Sequence, residues 1–486
     1  MIKWINNNIH YLGITIIIVI TCLFFFIEDI DSVKNIVIVL TMGIISIIVI
    51  SNKRNAIYAI IILAPVSIPL YIELLSLKLS FPSEFLTLLL IITAGTTLLI
   101  SEKFDKKIVF HPIAIILLLD ILLTVIAASF SEMALISFKR VLLKTSYITV
   151  YFFVFSHWNS KSKNKNALYF LYAIGLIYPI YSTLVRHGEQ NFSVASSFIM
   201  SEPYYSDHTI YGACLAFVLP FLITWIIFKR KEKNRWYFGV AGLTILIIVG
   251  EILSYSRASW ISLFGVILFA FLLRFRLRIN HLLIATSICA LTIGLNYEAI
   301  FTSIQQKETN IHTEENISDH LGSVTNLQTD ASNLERINRW VCAIRMFNEK
   351  PFTGFGPGTY QFEYGKFQSV NYMTRISTHD GKKGNAHSEY LTYLSEYGIF
   401  AFLVFLLLVF YSIHIGLKCY YYFKEDINKK ILILGSICGL ITFFIHGLFN
   451  TFIDSEKMAI LVYGSFSILV VIDIERRKLI VSEKKK

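Results

Sequence analysis

Charge is what this sequence has least of. Only 16% of its 486 residues are Asp, Glu, Lys or Arg, against 55% hydrophobic, and the mean hydropathy is +0.61. A water-soluble domain of this length needs far more polar surface, so that class is excluded and a polytopic membrane protein remains. Cysteine is sparse too. Cys22, Cys214, Cys289, Cys342, Cys419 and Cys438 lie mostly in or beside apolar runs, and none pair at a motif spacing. That leaves neither a disulfide framework nor a zinc site. No Gly-Lys-Ser/Thr follows the glycine cluster GFGPG at 354–358, so it is not a nucleotide-binding Walker loop. Nor is a cleavable leader expected. The apolar run after MIKWINNNIH is too long for a signal-peptide core and lacks a small-residue cleavage site, so residues 11–27 read as a retained first span.

What is there is a series of apolar runs, about fourteen of them long enough to span a bilayer with some tilt. They lie near 11–27, 35–50, 56–75, 84–100, 109–129, 142–157, 167–185, 209–228, 236–253, 258–273, 281–296, 393–416, 430–450 and 457–473. The expected fold is an all-α polytopic membrane protein of about 12–14 transmembrane helices. Its expected parts are a bundle over 1–296, an extracytoplasmic loop over 297–392, and C-terminal spans with a basic tail over 393–486. No soluble domain is expected before or after the spans.

The net charge of +11 fits cytoplasmic loops better than nucleic-acid binding. With the N-terminus inside, the inside loops carry Lys53 and Arg54; Lys103, Lys106 and Lys107; Lys161, Lys163 and Lys165; KRKEKNR at 229–235; Arg274, Arg276 and Arg278; and Lys418, Lys424, Lys429 and Lys430. The tail ERRKLIVSEKKK falls inside as well. Most of the 44 basic residues are thus accounted for, and the 297–392 segment lies outside.

The remaining outward-facing basic residues break that bias. They include Arg140, Arg186, Arg257, Arg336, Arg339, Arg345 and Arg375, with His187, His208, His379 and His387. Snorkelling to lipid headgroups explains any one of them. For the group that reading is weaker, because several sit in patterned surroundings and something else is expected to hold them.

In NLERINRWVCAIRMFNEKPFTGFGPGTY, Ile337, Trp340, Val341, Ile344 and Phe347 recur at helical spacing. The spacing predicts an amphipathic helix over 333–349 lying on the membrane surface. Arg336 borders the apolar stripe and Arg339 follows one turn along on the same side, at the depth of lipid phosphates. An interfacial anchor with ordinary basic flanks reads equally from this pattern. The GFGPG glycines allow either a tight turn or a cradle of N–H groups for an anion. SYSRASW places Arg257 at the outer end of a span, where a guanidinium either snorkels or grips a phosphate.

In NAHSEYLTYLSEYGIF, the apolar spacing after His387 starts a helix near Asn385 or Ser388, both plausible N-caps. His387 would then sit in the first turn, where the helix dipole disfavours imidazolium and leaves a neutral general base. An interfacial capping role is the plain alternative. Zinc is disfavoured because no His or Cys stands three or four residues from His387. EDID at 28–31, with Asp29 and Asp31, is either a short acidic loop or an Asp-x-Asp metal site. Asp120 lies inside an apolar run and needs a polar partner that the sequence does not identify.

SRASW, ERINRW, KPFTGFGPGTY and AHSEYLTYLSEYGIF occur in this order around one large loop. Together they resemble the O-antigen ligase and O-antigen polymerase superfamily of bacterial envelope glycosyltransferases. SDHTIYGACLAFVLP at 206–220 fits a weaker family block, and the resemblance is specific over roughly 206–410. It implies a GT-C-like fold and a metal-independent, inverting transfer without a cofactor. The donor would be a glycan on undecaprenyl pyrophosphate; the acceptor would be a hydroxyl of lipid A-core or another glycan. The expected partners are these two substrates and membrane lipids, with no nucleic acid. The expected place is the bacterial inner membrane, with both termini cytoplasmic and the active site periplasmic. Carried over, His387 is the general base and Arg257 and Arg336 bind pyrophosphate, with Arg339 beside them. Arg186, His208 and Tyr390 are further candidate substrate contacts. Two features depart from the family. About fourteen spans exceed the twelve usual for the ligases, and Ser388 stands where many members have Asn.

A repeat-unit polymerase shares the same residues and donor. A flippase for lipid-linked glycans would suit the span count but needs no such outer loop, and its charges would sit at mid-membrane. A ligase that places glycans on secreted proteins is a further possibility.

Overall fold

The computed structural model describes residues 53–72, 77–100, 105–161, 165–232, 234–275, 335–368, 377–378 and 384–484. The expected spans at 11–27, 35–50 and 281–296, the EDID loop, Arg375 and His379 lie outside the described residues. So does the first part of the long loop, 297–334.

The described chain is almost entirely helical. Eight of its helices are long and apolar enough to cross a membrane: Pro112–Ser129, Ala167–Glu189, His208–Lys229, Arg235–Leu253, Arg257–Arg274, Glu389–Tyr422, Ile427–His446 and Glu456–Glu483. The last is the hub. From Glu456 to Ile474 every residue is buried. A helix apolar on all sides is stable only where other helices surround it. Hydroxyls link it to its neighbours: Tyr169 Oη lies 2.8 Å from both Ser436 Oγ and Ser465 Oγ, and Asn159 Nδ2 donates to Ser467 Oγ at 3.2 Å. On the periphery Phe400, Leu403, Leu407 and Phe410 form an exposed stripe along one face of Glu389–Tyr422, the surface a helix offers to lipid.

The two ends of the bundle differ in charge. At one end Asp473 pairs with Arg476 and Arg477, each at 2.6 Å, and Glu475 with Lys429 at 2.6 Å and Lys165 at 3.2 Å. The opposite end gathers Asp207, Arg257, the helix over 335–349 and His387.

Several expectations change. The run at 56–75 is not one span. The helix Lys53–Leu63 stops before Pro65, and Ile68–Ile72 pairs antiparallel with Leu77–Phe81, Ile68 opposite Phe81. Proline disfavours helix before and at its own position. The carbonyls freed there are met by buried Lys457, whose Nζ donates to Ala64 O at 2.9 Å and Ser67 O at 2.6 Å. The expected span at 142–157 is the middle of a longer helical rod that begins at Ala134 and passes through a π-helical segment, Ile148–Val154. The span at 430–450 ends at His446, and the turn after it folds back over Glu389. Asp120 finds its partner in Lys144, 2.7 Å away and equally buried. Lys144 also bonds Thr124 and Tyr393, so the pair is structural.

Candidate functional site

Arg257 is positioned by a tight turn between two spans. Ser254 Oγ donates to Glu251 O at 2.7 Å, Tyr255 takes a left-handed φ of 50°, and Ser256 precedes the helix Arg257–Arg274 with extended backbone. This leaves the Arg257 side chain exposed at the first helical position. Gly212 lets the His208–Lys229 helix approach this serine collar closely. A Cβ there would meet Ser254 Oγ and Ser259 Oγ at 2.9 Å. Asp207 caps that helix, its Oδ1 accepting from the N–H of Thr209 at 2.7 Å.

The helix over 335–349 exists, but its buried face is not the apolar stripe. Glu335, Asn338, Arg339, Cys342, Ala343 and Met346 are buried and pack with Phe355, Tyr360, Tyr364 and Ala386 in a small core. At 100° per residue this face is opposite the stripe of Ile337, Trp340, Val341, Ile344 and Phe347. The stripe is half-buried, with Ile344 exposed. The reason is that the polar members satisfy one another. Arg339 Nε pairs with Glu335 at 2.8 Å, Ser377 donates to Glu335, and Asn338 bonds Gln368 at 3.2 Å. Arg339, one turn along from Arg336, falls inside this buried face. It is a buried strut whose Nη1 also donates to Asn385 O at 3.2 Å and whose guanidinium lies 4.9 Å over Tyr364.

Arg336, on the flank between the two faces, differs. It is half-buried, its Nε has no hydrogen-bond partner, and among the described residues neither it nor Arg257 carries an ion pair. Burial lowers its pKa, and the like charge of Arg257 lowers it further, with Asp207 opposing. Two guanidiniums held in mutual repulsion are a site for an anion.

His387 is not in the first turn of a helix. Ser388 is the N-cap, Glu389 begins the helix, and His387 precedes both at a left-handed φ of 48°. Asn385 Oδ1 accepts from its N–H at 2.9 Å, and its carbonyl accepts from Trp340 Nε1 at 3.2 Å. Its pKa is lowered to about 4 by burial first and then by the guanidiniums of Arg339 and Arg336, which Asp207 and a bond to Asn450 only partly offset. The imidazole is neutral at pH 7, as expected, but the dipole of the helix is not the cause.

The glycine loop is a tight turn with its amides engaged internally. Gly354, Gly356 and Gly358 all have positive φ. Gly358 N–H and Tyr360 N–H donate to the carboxylate of Glu396 at 2.8 and 2.9 Å, and Gly356 N–H to its backbone carbonyl at 2.9 Å. The loop thus locks the small core that carries Arg339 onto the Glu389–Tyr422 helix.

Of the other expected residues, His208 joins the site. It starts the His208–Lys229 helix, stacks edge-on against Phe198, and interacts electrostatically with Asp207 and Arg336. Arg186 holds Glu202 O and Ser182 Oγ, and Tyr390 donates to Phe444 O at 3.1 Å; both are engaged elsewhere. Sequence reasoning missed Asp207, His446 and Asn450. Asp207 had a visible signal, an Asp two residues before Thr209 at a helix start. Among the described residues no three His, Cys, Asp or Glu side chains are grouped to hold a metal ion.

Fold and site together define a polytopic membrane protein with a cluster of arginine and imidazole groups at one end of its helical bundle. Residues 242–406 match the model of the O-antigen ligase family, which supports the resemblance to the O-antigen ligase superfamily and an enzyme of the ligase or polymerase type. The matched segment contains Arg257, Arg336, Arg339 and His387; Asp207, His208, His446 and Asn450 lie outside it. None of the curated proteins matches the chain.

Proposed function

We propose that this protein is a ligase that transfers a glycan from undecaprenyl pyrophosphate to a hydroxyl of lipid A-core or a related acceptor. The reaction is metal-independent and inverting. It takes place on the periplasmic face of the bacterial inner membrane, with both termini in the cytoplasm. The observation that carries this reading is the pair Arg257 and Arg336, mutually repelling and with no carboxylate in ion-pair contact among the described residues, beside a neutral His387.

The chemistry follows from that arrangement. The acceptor oxygen attacks the anomeric carbon from the face opposite the leaving group, and the C–O bond to pyrophosphate breaks with its electron pair passing to phosphate. Charge grows on the leaving oxygens, where preorganised guanidiniums stabilise it without reorganising. The hydroxyl proton passes to His387. An anion seated on Arg336 also cancels one of the charges that hold the imidazole neutral, so donor binding raises its basicity. The orientation is supported by the lysines and arginines gathered at the opposite end of the bundle. The outward stripe of the 335–349 helix would rest in the headgroup layer.

A knockout in the native bacterium, with envelope glycans separated by size, tests the reading. Long chains that persist on the undecaprenyl carrier but vanish from their acceptor support the ligase. Single repeat units still reaching their acceptor would make the protein a polymerase. Lipid-linked units trapped on the cytoplasmic face would return a flippase and remove the catalytic argument.

A further inference from the structure

The Ile427–His446 helix ends in a histidine that is 1% exposed, yet neither of its ring nitrogens has a hydrogen-bond partner. Four residues on, Asn450 is 3% exposed and its Nδ2 is unpartnered too. Leaving a buried polar group unpaired costs about 1–3 kcal/mol, and buried polar groups in native proteins are almost always paired. The neighbours indicate what pairs with these. His446 interacts electrostatically with Asp207, Arg336 and His208, and Asn450 neighbours His387. Arg336 Nε and His208 Nδ1 are buried and unpartnered as well. Five open polar atoms of four residues thus belong to one cluster, a density that suits a hydroxyl-rich ligand.

The turn at 446–450 is also placed in a definite order. Its first residue is within electrostatic reach of Arg336 and its last neighbours His387. In the transfer proposed above, the pyrophosphate lies at Arg336 and the acceptor hydroxyl at His387. The part of the donor that must lie between them is the sugar bonded directly to pyrophosphate. We infer that His446 and Asn450 are the hydrogen-bonding contacts to that first sugar and determine which sugar the protein accepts. This rests on the transferase reading. Packing alone would give His446 a different role, an apolar plug edge-on to Phe452 at 5.3 Å.

The test uses the purified full-length protein in lipid nanodiscs, with undecaprenyl-pyrophosphate donors whose first sugar is glucose, N-acetylglucosamine or N-acetylgalactosamine. His446→Phe and Asn450→Ala are expected to lower kcat/KM by tenfold or more at unchanged Tm and to alter the order of preference among donors. His446→Gln, which keeps a donor and an acceptor, regains part of the loss. Binding of sugar-free undecaprenyl pyrophosphate stays within twofold of wild type in all three, whereas Arg336→Ala loses it. Variants within twofold of wild type on every donor would overturn the inference. An equal loss of sugar-free lipid binding would also overturn it, because His446 would then be a phosphate contact. Arg336→Ala losing the lipid while His446→Phe matches wild type leaves the transferase reading standing and removes only the sugar contact. A wild-type protein that neither binds the lipid nor transfers removes both.

Discussion

Trp340 donates its indole N–H to the backbone carbonyl of His387 at 3.2 Å, tying the helix that carries Arg336 to the loop that carries the imidazole. The left-handed backbone of His387 is held from both sides, by this bond on its carbonyl and by Asn385 on its N–H. Trp340→Phe keeps the ring but removes the donor. Loss of one such bond, worth about 1 kcal/mol, is expected to lower kcat roughly tenfold through misplacement of the imidazole, with little change in Tm. Steady-state kinetics on wild type and variant check this. An unchanged kcat would show that the bond does not position His387.

The depressed pKa of His387 sets two pH dependences. The proposed transfer needs the neutral imidazole, so the acid limb of the rate in the free enzyme is expected near pH 4 and not near the ordinary value of about 6.5. Stability runs in the same direction. Below about 6.5 the unfolded chain takes up a proton at this position that the folded chain refuses until about 4, so the contribution of His387 is full above that window and lost as pH falls through it. His387→Gln should flatten the difference in Tm between pH 7 and pH 4.5. Parallel slopes for wild type and variant would contradict the assignment.

The Asp120–Lys144 pair predicts a strongly non-additive stability effect. Lys144→Met strands a carboxylate that is 2% exposed, which costs about 3–5 kcal/mol. Asp120→Asn combined with Lys144→Met is expected to recover most of it. Thermal unfolding in detergent of the two singles and the double variant measures the coupling.

Gly398 tests the seam between the glycine loop and the Glu389–Tyr422 helix. Its φ is 80°, and a Cβ there would lie 2.3 Å from the carbonyl oxygen of Phe352. Gly398→Ala should therefore lower Tm and activity together. Gly239, with nothing within 4 Å of an added Cβ, is the control; alanine there gains up to about 1 kcal/mol of helix propensity. Equal Tm for the two variants would dismiss the seam.

Span positions were legible because lipid-facing and core-facing residues are both apolar, so length and charge suffice to mark them. Pairing was not. Nothing local to Asp120 points to Lys144, and the break at Pro65 is masked by apolar residues on both sides. For the 335–349 helix the wheel misled for a physical reason. Apolar residues normally face a core, but here Glu335, Asn338 and Arg339 bury by satisfying one another and leave the stripe turned outward. Arg257, Arg336 and His387 stand in motifs that could be read. His446 ends an apolar run like any helix terminus, and only the three-dimensional neighbourhood shows that its nitrogens are open.

In the proposed transfer Arg257 and Arg336 hold the pyrophosphate while His387 takes the acceptor's proton. The most direct measurement is donor binding and single-turnover transfer by purified wild type, Arg336→Ala and His387→Ala, with undecaprenyl-pyrophosphate-linked glycan and lipid A-core. The expected result is a split: His387→Ala binds the donor like wild type but transfers at least about a hundredfold more slowly, whereas Arg336→Ala loses binding. Transfer by His387→Ala at near wild-type rate would contradict the account.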